Sequence, residues 1–158
     1  MGLEIERKFL VVNDSWQPAV RCLHIRQGYL AVGPPSSVRV RIQDSIANLN
    51  VKRSILDIER DEYEYPIPVR DAEEMLDRLC DGRVVEKMRH HVEYEGMLWE
   101  VDVFAGANVG LVVAEIELES EDQEFSIPPW VGEEVSRDAR FLNSSLSTNP
   151  YGNWSSDI

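Results

Sequence analysis

Hydrophobic and polar residues alternate along most of this chain with a period of two. The opening stretch, MGLEIERKFLVV, places Glu4, Glu6 and Lys8 at one parity. Leu3, Ile5, Arg7, Phe9 and Val11 occupy the other. That period belongs to a half-buried β-strand. It recurs often enough to predict strands at 3–12, 23–31, 37–43, 48–54, 60–67, 84–93, 97–104 and 111–119. Glu95-Gly96 reads as the tight turn of a hairpin. Gly33-Pro34-Pro35 breaks the chain, and Pro66 with Pro68 ends a strand by denying ladder donors.

Two segments change period. Residues 71–80, DAEEMLDRLC, predict a helix with Asp71 as N-cap and Met75, Leu76 and Leu79 as its apolar stripe. Gly82 follows where a helix stop is expected. A second helix is expected over about 133–146, packed through Val135, Phe141, Leu142 and Leu146, and the tail 147–158 reads as loop. With no repeat and no low-complexity linker, residues 1–158 form a single domain of mainly β (α+β) class.

The polar parity of each strand carries charge. Arg39 and Arg41 share one side of β-like VRVRI, Asn48, Asn50 and Lys52 one side of NLNVKR, and Glu62 and Glu64 one side of DEYEYPI. Lys87 and Arg89, Glu100 and Asp102, and Glu115 and Glu117 repeat the pattern further on. A solvated face of an antiparallel sheet explains charge in general. It does not explain like signs within each strand, where neighbours at i and i+2 stand only roughly 6.5–7 Å apart. A solubilising surface does better by mixing signs. Something else is expected to neutralise these groups. Carboxylate pairs suit hard divalent cations, and arginine and lysine pairs suit phosphate.

Eight antiparallel strands suffice to close a barrel. Closure with the charged parity inward gives a wet, polar lumen and an apolar exterior that helices, loops or a second copy of the chain must cover. The inward set of six cations and eight carboxylates sums to −2, which two divalent ions would turn to +2, ready for a polyanion.

Composition narrows the partners. The net charge of −13 opposes broad nucleic-acid binding, without excluding an anionic small molecule held inside. No apolar run approaches the ~20 residues of a membrane span, and the N-terminus carries no secretory pattern. Cys22 and Cys80 make no disulfide framework or metal-like spacing, so reduced thiols and a cytoplasmic location are expected. His24, His90 and His91 read as surface or packing residues, because hard cations prefer oxygen.

Several stretches together resemble a known family. They are EIERK at 4–8, LHIRQGYL at 23–30, VRVRI at 38–42, LNVKR at 49–53, EYEYPIP at 62–68, KMR at 87–89, WEVDVF at 99–104, GLVVAEIELES at 110–120 and PPWVGEEV at 128–135. The chain resembles the CYTH superfamily, the triphosphate tunnel metalloenzymes, over nearly its whole length. The resemblance implies a closed eight-stranded antiparallel tunnel that binds a triphosphate with Mg²⁺ or Mn²⁺, two ions in all, with a C-terminal helix across one mouth. By position, Lys8, Arg39, Arg41, Lys52, Lys87 and Arg89 would grip phosphate. Glu4, Glu6, Glu62, Glu64, Asp102, Glu115 and Glu117 would hold metal. Glu4, Glu6, Lys8 and Glu117 would form the catalytic group. Glu100 matches less well and could buttress a cation. Tyr29 can face the lumen, but Arg26 has the opposite parity, and a bulge near Gly28 would change either assignment.

The implied reaction is hydrolysis of a triphosphate, with inorganic tripolyphosphate favoured, by a metal-activated water and no protein nucleophile. Adenylate cyclase, thiamine triphosphatase and a non-catalytic polyphosphate-binding module stand as alternatives.

Overall fold

The computed structural model describes residues 2–154. The strands are β1 (Leu3–Val11), β2 (Arg21–Ala31), β3 (Ser36–Gln43), β4 (Ile46–Arg53), β5 (Glu59–Ile67), β6 (Val84–Tyr94), β7 (Met97–Phe104), β8 (Val112–Glu117) and β9 (Val131–Glu134). The helices are α1 (Val69–Arg78) and α2 (Asn143–Thr148). Every strand pair is antiparallel, in the order β5-β4-β3-β2-β6-β7-β8-β1, and a β1–β5 pairing closes the eight into a barrel. The eight expected strands match these to within a few residues. Glu95 and Gly96 both take positive φ, 49° and 76°, as the tight β6–β7 hairpin requires.

The apolar parity faces outward and is covered. Ile5, Phe9, Val101, Ala114 and Ile116 lie under Trp16, Phe125 and Trp130 from the connecting loops. Trp99 is fully buried there and meets Trp130 and Phe125 edge-on at 5.7 Å, so both tryptophans are packing groups. On another flank Val40, Ile42 and Ala47 are covered by α1. That helix begins after Pro68 with no side-chain cap, so Asp71 sits in the first turn instead of capping it. Its buried residues are Ala72 and Leu76, with Cys80 buried beside them just beyond its end, while Leu79 is exposed. α1 can lie this close to β2 because Gly28 has no side chain; a Cβ there would meet Cys80 Sγ at 2.6 Å.

The C-terminal region differs from expectation. Instead of one helix over 133–146, the chain forms β9, a 3₁₀ turn at Ala139–Phe141 and the short α2. The cause is an open strand edge. β5 pairs with β1 only along Leu3–Ile5, and Phe9 and Val11 take Glu134 and Val131 as partners. The Val135 N–H also donates to the Lys8 carbonyl at 2.8 Å, and Arg7 grips Glu134 through two bonds of 2.9 and 2.6 Å. Completing the sheet edge outweighs local helical preference.

From there Phe141 and Leu146 plug one end of the barrel, packing with Val85, Phe104, Leu111, Val113 and Val135. The tail continues as a further 3₁₀ turn at Tyr151–Asn153, and Trp154 stacks edge-on against Phe141 at 5.1 Å. Residues 155–158, the end of the expected loop, lie outside the described residues. No helix among the described residues is long and apolar enough to cross a membrane.

Candidate active site

The barrel encloses a cavity of about 240 Å³. Alternation in each strand delivers its lining, and the plug supplies a floor through Leu142, Asn143 and Ser144. Towards the other end Glu64 and Glu117 are exposed, whereas Lys8, Lys87, Arg89 and Glu115 are buried. The cavity therefore runs from an acidic, solvent-facing mouth to a buried floor rich in cations.

Seven glutamates and seven cations line it, a formal balance of zero. Of the residues expected there, Glu4, Glu6, Lys8, Arg39, Arg41, Lys52, Glu62, Glu64, Lys87, Arg89, Glu115 and Glu117 all face it. Glu100 lines it too, as does Tyr29; Arg26 does not.

Asp102 is the exception among the expected metal ligands. It is fully buried and does not line the cavity. Arg89 donates to its two oxygens at 2.8 and 2.9 Å, and Lys87 stands 2.7 Å away. Burial pushes its carboxyl up, but those two cations outweigh burial and leave it below the ordinary value. With its oxygens occupied, Asp102 supports the cations beside it. This corrects the expected assignment.

Arg60 is the residue the sequence reading passed over. It lines the cavity and binds Glu4 at 3.1 Å. The signal was present, since Arg60, Glu62 and Glu64 share one parity. Arg60 entering and Asp102 leaving convert the expected deficit of −2 into balance. The floor residues Leu142, Asn143 and Ser144 had no such signal, because they come from outside any barrel strand.

Most of these charges are paired. Lys52 reaches Glu4 and Glu62, each at 3.2 Å, Lys8 reaches Glu115 at 3.2 Å, and Arg89 reaches Glu115 at 2.9 Å and Glu100 at 3.4 Å. Burial raises the Glu115 carboxyl, yet Lys8 and Arg89 hold it well below its usual value.

Two groups are left over on each side. Glu6 faces Glu117 directly in the β1–β8 register, and among the described residues neither has a cation partner. Burial, Glu115 and Glu4 push Glu6 up to about 8. Burial, Glu4, Glu100 and Glu62 raise Glu117. Opposite in sign, Arg39 and Arg41 have no carboxylate partner among the described residues. The buried Arg39 Nε has no hydrogen-bond acceptor, and Arg41 Nε donates only to Gln27 at 2.9 Å. Burial, Arg39 and Arg89 lower Arg41 to about 9.

The donor set suits a hard cation: every candidate ligand is a carboxylate oxygen, and Glu6 with Glu117 is a like-charge pair that a cation would relieve. The side chains are not gathered into a finished cage. Among the described residues no cluster of three or more His, Cys, Asp or Glu groups is arranged to hold a metal ion. Lys52, Arg60, Lys8 and Arg89 draw Glu4, Glu62 and Glu115 apart.

Comparison with known proteins fits this architecture. The CYTH domain family matches residues 2–149. The chain belongs to the CYTH family. It is 47% identical over 154 residues to an inorganic triphosphatase of Acetivibrio thermocellus, covering 98% of this chain and 99% of that protein. It is 40% identical over 148 residues to an inorganic triphosphatase of Nitrosomonas europaea, covering 91% and 96%. A crystal structure of an inorganic triphosphatase, 38% identical, superposes with a TM-score of 0.67 over 91% of this chain and 93% of that one.

Proposed function

We propose that this protein is a divalent-metal-dependent triphosphatase that hydrolyses inorganic tripolyphosphate to diphosphate and phosphate. The observation that carries the reading is two unmatched pairs of charges in one cavity: among the described residues, Arg39 and Arg41 have no carboxylate partner, and Glu6 and Glu117 no cation partner. A substrate that is both polyanionic and metal-bound satisfies both pairs at once. The relatives named above support the choice of tripolyphosphate.

In this reading Arg39, Arg41, Lys52, Lys87, Arg89 and Lys8 bind phosphate oxygens, and Arg60 joins them by holding Glu4. Fixed donors of this kind stabilise charge on the transferred phosphoryl group and on the departing diphosphate without reorganising during reaction. Glu6 and Glu117 would hold the metal, with Glu4, Glu62 and Glu115 released from their ion pairs, and Glu64 from the Asn50 amide, to assist. Magnesium or manganese, two ions in our reading, would supply charge neutralisation and a more acidic bound water. Lys8 lies between the metal-binding carboxylates and the floor, so it acts on both substrate and reaction. The floor at Leu142–Ser144 excludes water from below and stops the phosphate chain. No protein nucleophile takes part; Cys22 is exposed and Cys80 lies buried away from the cavity lining.

We place the enzyme in the cytoplasm, where its two unpaired cysteines would stay reduced. The exposed Tyr63 and Tyr65 on the outside of β5 favour a homodimer, which light scattering tests.

Phosphate release with Mg²⁺ or Mn²⁺ tests the central reading. The expected order is tripolyphosphate first, ATP weaker, and diphosphate almost inert. Cyclic AMP as the main product from ATP would make the protein a cyclase, preference for thiamine triphosphate would change its substrate, and tight binding without turnover would make it a binding module.

A further inference from the structure

Lys87 is the most deeply enclosed cation of the cavity, 1% exposed. Its ammonium has three N–H donors. The ammonium forms an ion pair with Asp102 Oδ2 on β7 at 2.7 Å, and one N–H is donated to Asn143 Oδ1 on α2 at 3.0 Å. Phe104 stands beside it, its ring centroid 5.4 Å from Nζ. An ion pair to one element and a hydrogen bond to another fix the place of the ammonium, and N–H donors remain for the cavity that Lys87 lines.

We propose that Asn143 is a positioning residue for Lys87, and that the segment after the barrel thereby completes the phosphate-binding face. This inference rests on the reading of the cavity as a phosphate site. Asn143 is well placed for the role because its own position is fixed from two sides. Phe141 and Leu146, flanking it in sequence, are anchored in the apolar plug. Lys8 Nζ donates to the Phe141 carbonyl at 2.9 Å, tying the same segment to β1. Without Asn143, Lys87 keeps only its ion pair with Asp102, and its N–H donors turn freely. Phosphate must then stop that rotation at its own expense, so affinity falls.

The test is a double-mutant cycle of Asn143→Ala and Lys87→Met. It reads KM and kcat for tripolyphosphate with Mg²⁺, the Kd of orthophosphate in EDTA by calorimetry, and Tm. Loss of a hydrogen bond to a charged group predicts a KM and Kd about 10-fold higher in Asn143→Ala, with kcat changed less than about 3-fold. In the Lys87→Met background the same change should add less than about 2-fold, because Asn143 acts through Lys87. Asn143→Ser, whose hydroxyl is too short to reach Lys87, should behave like Asn143→Ala and serves if the alanine variant folds poorly. Thr148→Ala, an exposed change in the same helix, should leave all readouts unchanged. Unaltered KM and Kd in Asn143→Ala, or full additivity with Lys87→Met, would overturn the inference. If the wild-type chain hydrolyses nothing, the proposed reaction fails while the orthophosphate cycle still decides the role of Asn143. A wild-type chain that binds no orthophosphate overturns that role as well.

Discussion

Glu6 and Glu117 face each other across the β1–β8 ladder, two carboxyl groups directly opposite in register. Like charges so placed destabilise a sheet. Every other cavity glutamate has a cation or, for Glu64, the Asn50 amide at 2.7 Å. The unbalanced negative charge is thus concentrated at one pair, which is the position proposed for a divalent cation.

Neutralising either member should therefore separate activity from stability. Glu6→Gln and Glu117→Gln are each expected to lower Mg²⁺-dependent phosphate release by at least about 100-fold, the upper end of losses seen when metal-site support is removed. The Tm of the metal-free protein should not fall. Phosphate-release assays beside thermal melts check this; full activity in both variants would remove these residues from the metal site.

Stability of the metal-free protein should carry the signature of Glu6. Its carboxyl is raised from 4.5 to about 8 in the folded state. Below pH 4.5 it is protonated whether the chain is folded or not, and the stabilising contribution is complete. As pH climbs towards 8 the unfolded chain has already released that proton while the folded chain must surrender it against burial, Glu115 and Glu4, so stability is lost. Glu6→Gln should match wild type near about pH 4, below the unfolded value, and melt higher at about pH 9, each kcal/mol being worth ~2–4 °C in a chain of this size. Equal melting temperatures at pH 9 would contradict the raised carboxyl.

Among the described residues, Arg41 has no carboxylate partner to leave stranded. Arg41→Ala should lower kcat/KM for tripolyphosphate by roughly 10–100-fold, through both KM and kcat, since its charge serves substrate and transition state alike. Its Tm should stay level or rise as repulsion from Arg39 and Arg89 is relieved. A large fall in Tm would give Arg41 a structural role.

Asp102 should behave in the opposite way. Asp102→Ala leaves Lys87 and Arg89 buried beside an empty space, and breaking a buried pair of this kind costs about 3–5 kcal/mol. Tm should drop by roughly 6–20 °C, with or without Mg²⁺. A metal ligand would instead show its main loss in Mg²⁺ dependence. Calorimetry of Asp102→Ala beside Glu6→Gln distinguishes the two roles.

The barrel was legible in the sequence because alternation is local. VRVRI or WEVDV shows which residues share a side without reference to any other strand, and like signs on one side already imply a lumen. Arg60 was equally legible by parity. The end of the chain was not. Val131–Glu134 becomes a strand only because β1 offers an unpaired edge more than a hundred residues earlier, and Phe141 and Leu146 find their places only in the mouth of a closed barrel.

Taken by itself, the sequence determined which side chains point inward and that their charges exceed what a bare lumen tolerates, since both follow from a two-residue period. Tertiary structure alone decided how those charges are shared. Asp102 and Glu100 have the same parity and nearly the same chemistry, yet one is locked between Lys87 and Arg89 and the other lines the cavity. Ion pairs such as Lys52 with Glu4, 48 residues apart, form across strands. Barrel closure sets those distances, and through them which groups are left, among the described residues, without a partner of opposite charge.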